Sequence, residues 1–201
     1  MASVSATRDP ISLFQDWLEA ANHVGLPEPS AAALATVAPD GRPSVRMVLL
    51  RGIDERGFVF FTNLTSRKGR ELLRPGGKSF ASLCFYWPPL SRQVRVEGRA
   101  EQALDAEADA YWATRPRGHQ VAAYASPQSQ PLPGGDAELA SLYAAWDRKL
   151  PPKNVPRPEN WSGFRVTPDT IEFWEGRENR LHRRVLYTRT ESGWNETTLA
   201  P

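Results

Sequence analysis

Phe58-Val-Phe-Phe-Thr62, followed by Asn63-Leu-Thr65 and then Ser66-Arg-Lys-Gly-Arg-Glu-Leu-Leu73, is the stretch on which the architecture turns. Its first five residues are aromatic or β-branched and read as a strand, and Ser66 is a polar cap that opens a short helix closed by Arg74-Pro75-Gly76-Gly77. A strand running into a helix is also how a βαβ unit begins. The flanks point elsewhere. Upstream, an alternating run from Ala31, a turn at Pro39-Asp40-Gly41 and the run Ser44-Val-Arg-Met-Val-Leu-Leu-Arg51 read as a hairpin, and Asp54-Glu-Arg-Gly57 turns the chain into the Phe58 strand. Downstream, Phe80 to Trp87 and Gln93 to Ala100 form a second antiparallel pair joined through Pro88-Pro89.

Helices are the minority. Asp9-Pro10 is an N-cap with proline at the first helical position, and Ile11, Phe14, Trp17, Leu18 and Ala21 follow at helical spacing, which predicts a helix over about 10–24. Further helices are expected over 105–114, 118–124 and 137–149, with a turn-rich loop at 127–135 and a proline-rich connector at 150–158. Strands around 164–166, 170–174, 183–189 and 194–199 complete the sheet. The expected class is mainly β with flanking helices, an antiparallel barrel in one domain over 1–201 whose first eight residues are flexible. No GxGxxG or P-loop occurs, so a nucleotide-like cofactor must be held by side chains and by the ends of strands and helices.

A formal net charge of +2 and the lack of a basic stripe interleaved with aromatics argue against nucleic-acid binding. Four of the 25 basic residues are lysines, leaving 21 arginines; this excess suits phosphate recognition and equally reflects a GC-rich genome. Cys84, the single cysteine, lies in an apolar run and is expected to be a buried small hydrophobe in a reducing compartment. With no apolar run of about 20 residues and no secretory pattern in Met1-Ala-Ser-Val-Ser5, a cytoplasmic location is expected and no membrane role. His23, His119 and His182 show no metal-ligand spacing, so no metal is expected. Tryptophans 17, 87, 112, 146, 161 and 194 read as core or interface.

At Phe61-Thr62-Asn63-Leu64-Thr65-Ser66-Arg67-Lys68, hydroxyls, free backbone donors, a helix dipole and two cations converge, the chemistry of a monophosphate site; a capped, solvated helix start is the ordinary alternative. Arg46 and Arg51 are an odd number of positions apart, so they point to opposite faces of an ideal strand, and one can face a ligand while the other need not. Tyr111 and Arg115 lie four apart on an expected helix and share a side, as a common ligand or ordinary packing would require.

Taken in order, Arg46-Met-Val-Leu-Leu-Arg51, Phe61-Thr-Asn63 with Ser66-Arg-Lys68, Arg92-Gln-Val94, Gln128-Ser129, and Glu172-Phe-Trp174 with Arg180-Leu-His182 closely resemble the pyridoxamine 5'-phosphate oxidase family, from the Asp9 helix to Leu199-Ala-Pro201. The resemblance implies an FMN-binding split β-barrel homodimer with two FMN molecules at the subunit interface. It implies that Arg46, Met47, Val48, Leu49, Leu50 and Arg51 line the flavin, that Arg67 and Lys68 hold its phosphate beside Phe61, Thr62 and Ser66, and that Gln93, Gln128, Ser129, Trp174 and Arg184 complete the cofactor site. For a vitamin B6 phosphate it implies Arg51, Tyr111, Arg115 and His119 around the phosphate, and Arg180, Leu181 and His182 over the pyridine ring, with Arg180 and His182 as the catalytic pair. Two positions depart from the family pattern: lysine is usual where Arg51 stands and serine where His119 stands, so charge is kept while shape and hydrogen bonding change. The implied reaction is oxidation of pyridoxamine or pyridoxine 5'-phosphate with O2 as acceptor and H2O2 as product. A related flavin oxidase of phenazine-type precursors and a non-catalytic FMN- or pyridoxal phosphate-binding protein are the alternatives.

Overall fold

The computed structural model describes residues 8–73 and 79–201. The turn expected at 74–77, and all of the flexible start expected over 1–8 except Arg8, lie outside the described residues. Helix α1 (Pro10–Asn22) begins where the Asp9 carboxylate accepts from the Ser12 N–H and Pro10 supplies a preset φ. Its apolar face, Ile11, Phe14, Trp17 and Ala21, is buried. Phe14 meets Phe58, Phe85 and Trp87 with ring centroids 4.9, 4.8 and 5.9 Å away, so α1 plugs the mouth of the curled sheet.

The sheet contains nine strands among the described residues: β1 (Ala31–Val37), β2 (Pro43–Leu49), β3 (Gly52–Asp54), β4 (Gly57–Asn63), β5 (Ser79–Trp87), β6 (Arg92–Gln102), β7 (Trp161–Glu175), β8 (Arg183–Thr190) and β9 (Gly193–Leu199). All pairings are antiparallel, in the order β2-β1-β5-β6-β7-β4-β3, with β8 and β9 continuing from β7. Alternating burial along β1 and β5 sends Ala32, Leu34, Leu83 and Phe85 into a single core, as the period of two demands. The expected antiparallel split barrel with flanking helices is therefore present.

Two expected strands, 164–166 and 170–174, prove to be one. β7 is continuous over 15 residues despite Pro168, because its register with β6 shifts at Glu97/Gly98 and a bulge in β7, where Asp169 has no β6 partner, absorbs the proline. The backbones approach so closely there that a Cβ on Gly98 would stand 2.0 Å from the Thr167 carbonyl oxygen. This long strand splits the sheet: its first half pairs with β4 and its second with β8, while β6 runs along both. β3 was not anticipated, being a three-residue strand hidden beside a turn. Arg51 also lies beyond the end of β2, since the Leu50 N–H turns to the Ser30 carbonyl and the Arg51 N–H to that of Val59. The strand-parity argument for Arg46 and Arg51 therefore does not apply.

Helices α2 (Arg67–Leu72), α3 (Asp105–Thr114), α4 (Arg117–Ala125) and α5 (Gly135–Lys149) flank the sheet. Trp112, Val155 and Trp161 form a second buried cluster outside the barrel, which seats α3, α4 and the 150–158 connector against β4 and β7. Only Ala108 and Trp112 of α3 are buried, and arginines secure the rest of the helix. Arg157 reaches Asp105 (2.9 Å) and Asp109 (2.5 Å), while Arg165 and Arg56 each reach Glu107 at 2.7 Å. Cys84 is half-buried rather than buried, and desolvation pushes its thiol up. No helix among the described residues is long and apolar enough to cross a membrane.

Candidate active site

The end of β2, the β4 strand, α2, α3 and α4 surround an open cavity of about 490 Å³. Met47, Val48, Leu49 and Arg51 form one wall and Phe61 and Thr62 another; Lys68 and Gln128 stand at one corner, and Tyr111, Arg115 and His119 at the other. Residues expected at a cofactor and residues expected at a substrate phosphate thus share one space.

The Lys68 corner is built by the strand-to-helix passage. The Ser66 hydroxyl, fully buried, accepts from the Gly69 N–H and donates to the Asn63 carbonyl, which caps α2 and occupies the hydroxyl. With only six residues in α2, the ammonium of Lys68 rather than the helix dipole makes this corner attract anions. It donates to Gln128 Oε1 at 2.9 Å, to Thr62 Oγ1 at 3.1 Å and to Ser66 Oγ at 3.4 Å, all neutral acceptors. Burial, reinforced by the nearby charge of Arg46 and only partly opposed by Glu71, pushes its pKa down to about 8. A half-buried lysine without a bonded carboxylate is chemically suited to an anion such as a phosphate monoester.

Arg46 and Arg67 lie behind this corner and do not line the cavity. Arg46 donates to Thr36, Ser44 and Glu71, and Arg67 Nε reaches Glu71 at 2.9 Å. Burial opposes ionisation of Glu71, yet hydrogen bonds from Thr36 and Arg67 and the charges of Arg46 and Arg67 hold its carboxyl below the usual range. These contacts pin α2 onto β1.

The opposite corner is cationic without a counter-charge: Arg51 and Arg115 have no carboxylate within salt-bridge distance among the described residues. Desolvation, followed by the repulsion of Arg51, pushes the Arg115 guanidinium down despite the opposing influence of Tyr111. One of its terminal nitrogens donates to the His119 carbonyl at 3.0 Å, whereas its buried Nε has no partner. Arg115 is the C-cap of α3 rather than a residue within it, and it still faces the same cavity as Tyr111.

The remaining expected residues gather elsewhere. Gln93 pairs with Trp174 across β6 and β7, and Trp174 with Arg184 across β7 and β8, so the three form a row. The His182 ring packs on Trp174 at 4.6 Å between centroids, and His182 Nδ1 accepts from the Arg177 N–H, which leaves Nε2 to carry the proton of the neutral ring. Arg184 is held at 2.8 Å by buried Glu172, which also pairs with Arg95. Arg180 and Leu181 are exposed beside this row, which does not line the cavity of its own chain. Leu50 is in the core, and Ser129 is exposed next to Gln128. Arg180 and Ser129 adopt φ of 60° and 68°, strained values that non-glycine residues keep where the surroundings impose them.

Trp161, read from sequence as core or interface, lines the cavity, as do Asn63 and Ser126. Only the register reveals it: Trp161 is the cross-strand partner of Asn63 at the end of the signature strand.

The model of the pyridoxamine 5'-phosphate oxidase family matches residues 18–175, and that of the pyridoxine 5'-phosphate oxidase C-terminal dimerisation region matches residues 161–201. The chain is 51% identical over 201 residues to a pyridoxine/pyridoxamine 5'-phosphate oxidase of Rubrobacter xylanophilus, covering 100% of this chain and 91% of that one. It is 52% identical over 193 residues to the protein of the same name from Myxococcus xanthus strain DK1622, covering 96% and 92%. Among solved structures, PhzG from Burkholderia lata 383, in complex with tetrahydrophenazine-1-carboxylic acid, superposes with a TM-score of 0.89 at 36% identity over 98% of this chain and 95% of that one. A pyridoxamine 5'-phosphate oxidase-related, FMN-binding protein from Nostoc punctiforme PCC 73102 shares the fold with a TM-score of 0.78 at 20% identity, covering 97% and 100%. With signature residues assembled on a split barrel and both family models matched from residue 18 to the last, the chain belongs to the pyridoxamine 5'-phosphate oxidase family of oxidoreductases.

Proposed function

We propose that this protein is an FMN-dependent oxidase that converts pyridoxamine 5'-phosphate or pyridoxine 5'-phosphate to pyridoxal 5'-phosphate, reducing O2 to H2O2 and, for the amine, consuming water and releasing ammonia. The observation that carries this reading is the pairing in one cavity of two cations, Lys68 and Arg115, neither with a carboxylate within salt-bridge distance among the described residues, with apolar walls between them. Two phosphate-tailed, flat-ringed molecules fit that arrangement.

FMN, when bound, supplies a hydride acceptor that dioxygen reoxidises; the protein supplies placement. In this reading Lys68 holds the cofactor phosphate, with Thr62, Ser66 and Phe61 beside it and Arg67 fixing α2 from behind through Glu71. Met47 to Leu49 and Gln128 run along the ring, with Leu50 anchoring that wall in the core and Arg46 bracing it. Arg51, Arg115, Tyr111 and His119 grip the substrate phosphate and fix the substrate's reacting carbon, so that proximity lowers the barrier. A second copy of the chain brings up Gln93, Trp174 and Arg184 to complete the cofactor site, and Arg180, Leu181 and His182 to cover the pyridine ring. Two observations support the homodimer: residues 161–201 match a dimerisation region, and Val45, Met47, Phe80 and Tyr86 leave an apolar sheet face open, each more than half exposed.

The likeness to PhzG, together with Arg51 and His119, favours a second reading, oxidation of a reduced phenazine precursor. Three basic residues suit a doubly charged phosphate better than a single carboxylate. Competition separates the two readings: pyridoxal 5'-phosphate inhibits a vitamer oxidase at low concentration and leaves a phenazine-type oxidase unaffected. FMN-loaded protein given each vitamer in air is expected to yield aldehyde and peroxide; formation of neither, with both vitamers, rejects the proposal. A flavin that no amine reduces anaerobically would identify a passive binding protein.

FMN affinity should also follow the charge of Lys68. Because the free-protein pKa is lowered to about 8, the ammonium is protonated below that value and loses its charge as pH rises through it. The Kd for FMN is expected to be flat from about pH 6.5 to 7.5 and to increase above pH 8. Lys68→Met should weaken binding and flatten that rise; an unchanged profile in the variant would remove Lys68 from the phosphate.

A further inference from the structure

We propose that Trp161 is a positioning residue for substrate recognition: its indole face is the bed that aims the Arg115 guanidinium at the anionic tail of the substrate without neutralising it. The inference rests on reading the Arg115 corner as the seat of the substrate phosphate.

The guanidinium carbon of Arg115 lies 4.9 Å from the Trp161 ring centroid and 5.6 Å from that of Trp112. An arginine that must be held in one direction is commonly paired with a carboxylate, which fixes it but cancels its field. An aromatic face attracts the cation through its quadrupole and adds no negative charge, so both orientation and positive potential survive. Arg115 has this arrangement: two indoles, one backbone carbonyl and, among the described residues, no acid within salt-bridge distance.

Trp161 is itself immobile, being 3% exposed and nearly parallel to Phe61 (5.3 Å, 6°) and Tyr111 (6.1 Å, 13°), while Phe61 and Tyr111 stack at 4.3 Å. Its main-chain N–H donates to the Pro158 carbonyl, and its main-chain carbonyl accepts from Arg157, the residue that also holds Asp105 and Asp109 of α3. The connector, the helix and the strand therefore meet under one guanidinium. Phe61 and Tyr111 belong to the same stack, so the ring wall beside the cofactor and the anion seat are joined through this indole.

The test compares equilibrium binding of pyridoxal 5'-phosphate and of pyridoxal, which lacks the phosphate, to the FMN-loaded protein, alongside KM and kcat for pyridoxamine 5'-phosphate. Trp161→Leu is expected to weaken binding of the phosphorylated ligand and raise KM roughly tenfold, and Trp161→Phe, which keeps a π face, roughly threefold. Pyridoxal binding, FMN affinity and kcat should stay within about twofold. In an Arg115→Ala background Trp161→Leu should add almost nothing, whereas an equal loss in both backgrounds would mean simple packing and overturn the proposal. If Trp161→Leu does not fold, tryptophans carrying successive fluorines at position 161 alone weaken the quadrupole at constant shape. Pyridoxal 5'-phosphate affinity should then fall step by step, and constant affinity would overturn the proposal. A wild-type protein that binds pyridoxal 5'-phosphate more tightly than pyridoxal but turns over neither vitamer would reject the oxidase reading and leave the binding comparison decisive for Trp161. Equal binding of the two ligands by the wild type would overturn the Trp161 proposal.

Discussion

Arg115→Ala raises the KM for a phosphorylated vitamer by about two orders of magnitude and leaves FMN bound. Removing one partner of a desolvated charge pair costs about 2–5 kcal/mol. At about 1.4 kcal/mol per factor of ten, KM should rise between about thirtyfold and a few thousandfold. About a hundredfold, inside that range, is expected because Arg115 is half-buried and has no carboxylate within salt-bridge distance among the described residues, while Arg51 and His119 of the same corner remain in the variant. Arg115→Lys should recover little, because a point charge neither stacks on Trp161 nor offers a planar fork. Steady-state kinetics with flavin occupancy as control measures this. A KM change below about threefold would remove the guanidinium from the substrate seat.

Gly69→Ala is expected to damage the cofactor corner through the backbone. A Cβ at this position would stand 2.2 Å from the Leu64 carbonyl oxygen and 2.7 Å from that of Asn63, and neither is the end of a flexible side chain. The passage from β4 to α2 must then open, taking the Ser66 cap and Lys68 with it. Overpacking of this kind costs about 1–3 kcal/mol, and an obstacle made of main chain belongs at the upper end. For a chain of this length that corresponds to a fall in Tm of about 6–12 °C. The variant should also purify with little flavin. Calorimetry and the flavin absorbance of the purified protein check both effects, and a variant with full flavin and unchanged Tm would refute the tight passage.

Much of the sheet was legible because its strands obey the period of two and its turns carry Gly, Pro and Asp: the 31–51 hairpin, the Phe58 strand and the 80–100 pair all stand where the pattern puts them. β7 was read as two strands because Pro168 signals a break locally, and only the pairing with β6 shows that a bulge at Asp169 carries the strand past it. The importance of Gly69 was equally hidden, since a glycine inside a helix reads as a weak point until a carbonyl is seen against it. In the candidate site, residue types and order picked out Lys68, Tyr111, Arg115 and His119, which line one cavity. They did not show that Arg46 turns back to Glu71, nor that Trp161 stands beneath Arg115, since both depend on contacts between segments far apart in sequence; the Arg67–Glu71 pair, at i,i+4 on α2, carried a local signal that the phosphate reading of Arg67 passed over.

The arginine fastenings of α3 make this helix sensitive to ionic strength. Asp105 and Asp109 face water at 78% and 62%, so the Arg157 latch is open to mobile ions, whose screening length shrinks to about 3 Å in molar salt. The Arg165 latch, with Glu107 only 25% exposed, is better shielded. In brine the Asp105–Asp109 end of the helix slackens while the barrel, closed by aromatic packing, stays shut.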